Sequence, residues 1–143
     1  NVEMDRKKLI KRLICLVFFI FAANFLANKF YWYFSIWYFD MIMHFLGGFW
    51  LGLAIIWFFP SESFRLSLEY PINVVLKILL FILFIGIGWE VFEILVNEVV
   101  LKNSFNYLDI ISDIFFDLAG GVLAVLYFLK RIMFVKEGEV QLK

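Results

Sequence analysis

The residues of this chain that could do chemistry fall in three short runs. Asp40 and His44 stand four residues apart, Glu90 and Glu93 three apart, and Asp109, Asp113 and Asp117 follow at intervals of four. Spacings of three and four put side chains on one face of a helix, so each run reads as a polar stripe. Carboxylates gathered around one imidazole suit a hard divalent cation. Mg²⁺, Mn²⁺ or Ca²⁺ is favoured by such a donor set, and Zn²⁺ or Fe²⁺ is compatible with it. On this reading Glu90, Glu93, Asp113, Asp117 and Asp109 hold the metal, His44 is a ligand or general acid/base, and Asp40 orients it. Each group also has a plainer role. His44 could serve as an interhelical hydrogen-bonding residue, and Asp40 and Asp109 suit helix N-caps.

The elements that carry these runs are set by composition. Of 143 residues, 64% are hydrophobic and 18% charged, with twenty Phe, six Tyr and five Trp. An ordinary soluble domain is about half apolar and a quarter charged, which excludes that class. A helix that crosses a bilayer needs roughly 20 mainly apolar residues. Four segments meet this length: about 9–27, 40–59, 74–100 and 109–128, the second stopping at Pro60 and the fourth at Lys130 and Arg131. The runs are continuous rather than alternating, which argues against a β-barrel. The expectation is an all-α integral membrane protein: a single four-helix transmembrane bundle over residues 1–143, multi-pass in the cell membrane. The first segment is longer than a signal-peptide core and has no small-x-small cleavage site after it, so it reads as a true span. The start at Asn1 suggests a longer precursor.

Charge placement predicts orientation. Eleven of the thirteen Lys and Arg lie in the N-terminal flank, in the loop holding Arg65 and Lys77, or in the tail with Lys130, Arg131, Lys136 and Lys143. Only Lys29 and Lys102 fall in the other two loops. This bias puts both termini in the cytoplasm. Net charge is zero, so no nucleic-acid partner is expected. Cys15 is the single cysteine and reads as inert packing. With that orientation all three acidic runs sit in the outer half of the bilayer, joined by Asn24 and Asn28 from the first helix. Glu90 lies ~15 Å from Val100, and Asp117 ~12 Å into its helix, at 1.5 Å per residue. An ionised carboxylate at such depth costs about 2.5–3.5 kcal/mol near a helix centre, and no Lys or Arg lies in the same stretches. Protonation, a bound cation or a water-filled cavity must offset that cost. Asn97 and Glu98 lie nearer a helix end, where headgroup water could solvate them. The loop Lys29–Phe39 is rich in Phe, Tyr and Trp and suits the interfacial aromatic belt. Gly48 and Gly52, Gly86 and Gly88, and Gly120, Gly121 and Ala124 allow helices to approach beneath the polar cluster.

The pattern Asp40-x-x-x-His44-Phe45-x-Gly47-Gly48, then Trp89-Glu90-x-x-Glu93, then Asp109-x-x-x-Asp113-x-x-x-Asp117-x-x-Gly120-Gly121 resembles the YjdF-like bacterial inner-membrane proteins. It is also similar to the wider VanZ-like group. The opening is one residue longer than the VanZ-like form, which makes the YjdF-like branch the nearer match. The resemblance spans about residues 40–124 and implies a shared polar site between helices. The last helix lacks the Asp-Gly and Ala-Arg elements of CDP-alcohol phosphotransferases, so that activity is not expected.

Two functional classes follow, with a structural alternative. One is a metal-dependent hydrolase or transferase acting on a lipid or lipid-linked substrate from the outer leaflet. No Ser or Cys nucleophile stands near the runs, so hydrolysis would use metal-activated water. The other is a cation or proton translocator, for which four helices are few and a homo-oligomer would be needed to complete a path. The structural alternative is an accessory subunit whose cluster holds the bundle together.

Overall fold

The computed structural model describes residues 6–58, 71–96 and 106–141, with side chains up to residue 130 apart from residues 71 and 74. All regular structure among them is helical: α1 (Arg6–Lys29), α2 (Trp32–Ser35), α3 (Phe39–Phe58), α4 (Pro71–Val96) and α5 (Tyr107–Gln141). Four stretches are long and apolar enough to cross a membrane, namely Arg6–Lys29, Phe39–Phe58, Val75–Val96 and Tyr107–Lys130. The chain is a multi-pass, all-α membrane protein. Pro60, Arg65, Asn97, Glu98, Val100, Lys102 and Lys143 lie outside the described residues, as do the side chains of Arg131 and Lys136.

Several boundaries differ from the sequence reading: α1 covers Arg6–Lys29 rather than about 9–27, and α5 begins at Tyr107 rather than Asp109. α4 begins at Pro71 rather than near Val74. Proline suits a first helical position, where its missing N–H would have no acceptor. α5 continues to Gln141, well past the end of the apolar run at Phe128. The change from apolar to charged residues marks where a helix can leave a membrane, not where it must stop. Lys, Arg and Glu are good helix formers, and no proline interrupts the stretch.

α3 and α5 form the centre of the bundle, with α4 lying against both and α1 packing chiefly on α3. Glycine decides how close the central pair comes. A Cβ placed on Gly48 would meet the backbone of Asp117, and one on Gly120 would meet the Phe45 carbonyl and the Phe49 nitrogen. The two helices therefore touch backbone to backbone, as small residues allow in membranes. Away from that contact, Ile56, Ile78, Ile82, Val125 and Phe128 form one buried cluster from α3, α4 and α5. Leu9 and Leu13 of α1 pack with Leu53 and Ala124 in a second. The Trp50 indole N–H crosses to the Leu13 carbonyl at 2.9 Å. Outward faces are apolar and bare, with Phe18, Phe21, Phe84 and Phe115 well exposed, as lipid-facing surfaces require.

The segment expected as a surface loop contains one helical turn. Tyr31 adopts a left-handed backbone (φ 57°), and α2 follows directly. The rings of Trp32 and Tyr33 pack edge-on against Phe39 at 5.6 and 5.1 Å, which fixes α2 across the start of α3.

Candidate metal centre

Because successive membrane helices alternate in direction, one end of the bundle collects the end of α1, the start of α3, the end of α4 and the start of α5. Every described acidic side chain lies toward that end. The basic side chains Arg6, Lys7, Lys8, Lys11, Arg12, Lys77 and Lys130 lie toward the other. Lys29 is the exception among the described residues, and its ammonium sits over the Phe30 ring at 5.8 Å.

His44 is the hub. One turn and more into α3, it is 9% exposed, and its two ring nitrogens meet different partners. Nδ1 is 3.4 Å from Asp117 Oδ1. Nε2 is 3.9 Å from Asp40 Oδ1 and 3.9 Å from Asp113 Oδ2. The i, i+4 spacing places Asp40 beside His44 on α3, and the same spacing on α5 places Asp113 and Asp117 one above the other. The glycine contact between α3 and α5 brings the two stripes together. Asp117 is 6% exposed and Asp113 3%. A Cβ on Gly86 of α4 would stand 2.9 Å from Asp117 Oδ2, so this glycine makes room for the carboxylate. Gly88, in contrast, faces open space.

Two sets of potential ligands converge here: Asp40, His44 and Asp113, and His44, Glu90 and Glu93. Within each set the donor atoms lie within 4.8 Å of one another. Ligands bound ~2.1–2.4 Å from a cation stand about 3.0–3.9 Å apart for angles between roughly 90° and 109°. The 3.9 Å separations around Nε2 meet the wide limit of that range. Glu90 is 4% exposed, and its Oε1 is buried without a hydrogen-bond partner among the described residues. A buried acceptor left unpaired costs ~1–3 kcal/mol, more if charged, and a cation would satisfy it.

Three of the expected site residues take up these places. Asp117 was expected as a ligand, but it faces Nδ1 and lies outside both sets. Asp40 was expected to orient the histidine, but its carboxylate stands beside Nε2 with Asp113. Asp109 is exposed at the start of α5 and belongs to neither set. Its carbonyl accepts a hydrogen bond from Ser112 Oγ at 2.7 Å.

Two groups escaped the sequence reading. Ser112 Oγ also lies 3.3 Å from Asp113 Oδ1, so its one hydrogen serves either the Asp109 carbonyl or this carboxylate. Tyr33 was read as one aromatic of the interfacial belt, yet its hydroxyl donates to Asn24 Oδ1 at 2.7 Å. Asn28 Nδ2 donates to the same oxygen at 3.1 Å. Burial pushes the Tyr33 phenol up to about 12, and the negative charges of Asp40 and Glu93 add to the shift. The phenol is therefore a lasting proton donor at the mouth of the cluster. Its place in a Tyr/Trp/Phe-rich run hid it, because every neighbour shares its composition.

A family model described as "Predicted membrane protein (DUF2238)" matches residues 2–133. That family is the one to which the YjdF-like proteins belong, so the match agrees with the motif resemblance. Neither a curated protein nor a solved structure matches the chain.

Proposed function

We propose that this chain, which belongs to the DUF2238 family of predicted membrane proteins, binds a divalent cation at its acidic end and works as a metal-dependent enzyme on a lipid or lipid-linked substrate. The observation that carries the proposal is the division of labour on His44. Asp117 at Nδ1 acts as the orienting carboxylate, which fixes the proton there and turns the Nε2 lone pair toward Asp40 and Asp113. Carboxylate–histidine–metal arrays use this order of groups.

A cation held there would polarise a phosphoryl or carbonyl oxygen, or lower the pKa of a bound water. The protein's own groups do the rest. Gly48 and Gly120 hold the ligand-bearing helices at fixed separation, and the Ser112 hydroxyl stands beside Asp113. Tyr33 stays protonated near the cluster, its hydroxyl tying α2 to Asn24 of α1. The acidic end faces the outer leaflet if the Lys/Arg bias sets orientation, and the aromatic rings around α2 then lie where a lipid substrate would enter. The VanZ-like likeness belongs to this proposal and rests on the same motifs.

Translocation is the less favoured alternative. The core toward the opposite end is built from Ile56, Ile78, Ile82, Val125 and Phe128, which offers an ion no polar partner. A passive structural role is also less favoured, because Glu90 Oε1 is left unsatisfied. The test is turnover in proteoliposomes made from a total bacterial lipid extract with added lipid-linked phosphoesters, followed by mass spectrometry. Products that form with Mg²⁺ or Mn²⁺ and vanish with EDTA are expected. No metal-dependent product from any lipid class contradicts the enzymatic role.

A further inference from the structure

Around the one imidazole stand more carboxylates than a single divalent cation balances in charge. Asp40, Asp113, Asp117, Glu90 and Glu93 carry five negative charges when ionised, against the one divalent cation of the proposed site. Lys29 is the only described basic side chain at this end of the bundle, and it lies over Phe30. His44 belongs to both ligand sets. With Nδ1 engaged by Asp117, it can give Nε2 to one ion only. Once that nitrogen serves Asp40 and Asp113, the pair Glu90 and Glu93 is left without the histidine and without a cation. Glu90 Oε1 is the buried, unpartnered oxygen of that pair. It lies on α4, across the cluster from Asp40 on α3, within electrostatic reach of Asp113, Glu93, Asp117 and His44.

We infer that the centre takes two divalent cations: one on Asp40, His44 Nε2 and Asp113, and a second on Glu90 and Glu93. This rests on the proposed metal site and extends it. Charge supports the count, since two divalent cations offset four of the five carboxylates and the fifth, Asp117, is paired with the histidine N–H. Chemistry supports it as well. Two ions about 3.5–4 Å apart clamp the attacking and leaving oxygens of a phosphoester in an in-line displacement. The substrate class that fits such a pair at a lipid surface is a phosphoester: water, giving up a proton, would attack phosphorus as the P–O bond to the leaving alcohol breaks and that alcohol takes up a proton.

The two sites can be separated by counting. Purified full-length protein in detergent, stripped with EDTA and titrated with Mn²⁺, should bind two equivalents by calorimetry and by metal analysis after gel filtration. Glu93→Gln changes a half-buried residue at little risk to packing. It should weaken one equivalent at least ~10-fold and leave the other unchanged. Asp40→Asn should do the reverse. Glu90→Gln with Glu93→Gln should bind one equivalent while keeping the helical circular dichroism of the parent. One equivalent in the parent overturns the second site and leaves the first standing. Loss of all binding in Glu93→Gln with folding intact likewise overturns it, because the two sets would then be one site. No binding in the parent overturns the proposed function itself.

Discussion

The acidic and apolar ends of this bundle use the same three helices and fill the space between them in opposite ways. Toward one end α3, α4 and α5 meet over Ile56, Ile78, Ile82, Val125 and Phe128, all nine-tenths or more buried. Toward the other they meet over His44, Glu90, Asp113 and Asp117, buried to the same degree. Burial alone does not tell the two apart. Their cost does. In lipid the apolar cluster contributes packing at no electrostatic penalty, whereas each buried carboxylate must be offset by a proton, a partner or a cation. Between the ends, Gly48 and Gly120 bring α3 and α5 into backbone contact beside the carboxylates and the histidine. The apolar end and the glycine contact therefore act as scaffold, and the acidic end holds what the scaffold supports.

Exchanging single residues between the two roles should separate them. The largest effect is expected for Asp113→Asn, which removes a proposed ligand and should weaken Mn²⁺ affinity at least ~100-fold while the thermal midpoint without metal stays level or rises. Ile82→Ala is the complementary variant. Ile82 is fully buried, and its truncation should cost roughly 2 kcal/mol, at the low end for such changes because lipid removes the transfer contribution. Metal affinity should hardly change. A thermal shift assay beside Mn²⁺ titration reads both variants, and equal loss of both properties in either one would break the distinction.

Much of this division is present in the sequence, because membrane solvation makes it so. Four long apolar runs admit no other fold class, and carboxylates in those runs are too costly to be incidental. Spacing alone placed Asp40 with His44 and Asp113 with Asp117, since both follow from helical periodicity. It could not say which nitrogen of His44 each carboxylate would face. That depends on the rotation of α5 against α3 at the backbone contact of Gly48 and Gly120, which puts Asp117 at Nδ1 and Asp40 at Nε2. Asp109 shows the limit of periodicity: it continues the stripe by sequence, yet α5 carries it out to the exposed end. The length of α5 was also hidden, because hydropathy marks a membrane boundary and not a helix end.

The smallest expected effect concerns the entrance. The Tyr33 phenol is raised from the ordinary 10 to about 12, first by burial and then by Asp40 and Glu93. A pKa raised on folding means that the stabilisation is fully present below pH 10 and is lost as pH climbs toward 12. The difference in ultraviolet titration between the parent and Tyr33→Phe should report that late ionisation. Asp40→Asn should bring it earlier by part of the shift. An ordinary midpoint in the parent would mean that Tyr33 stands clear of the cluster.

The central claim is that Nε2 of His44 is a metal ligand, and the chain makes this simple to test because it holds one histidine. Pulsed electron paramagnetic resonance on Mn²⁺-loaded protein detects a directly bound imidazole nitrogen through its modulation of the echo. The account predicts that modulation in the parent and its loss in His44→Gln. Mn²⁺ bound with no nitrogen modulation in the parent would contradict it.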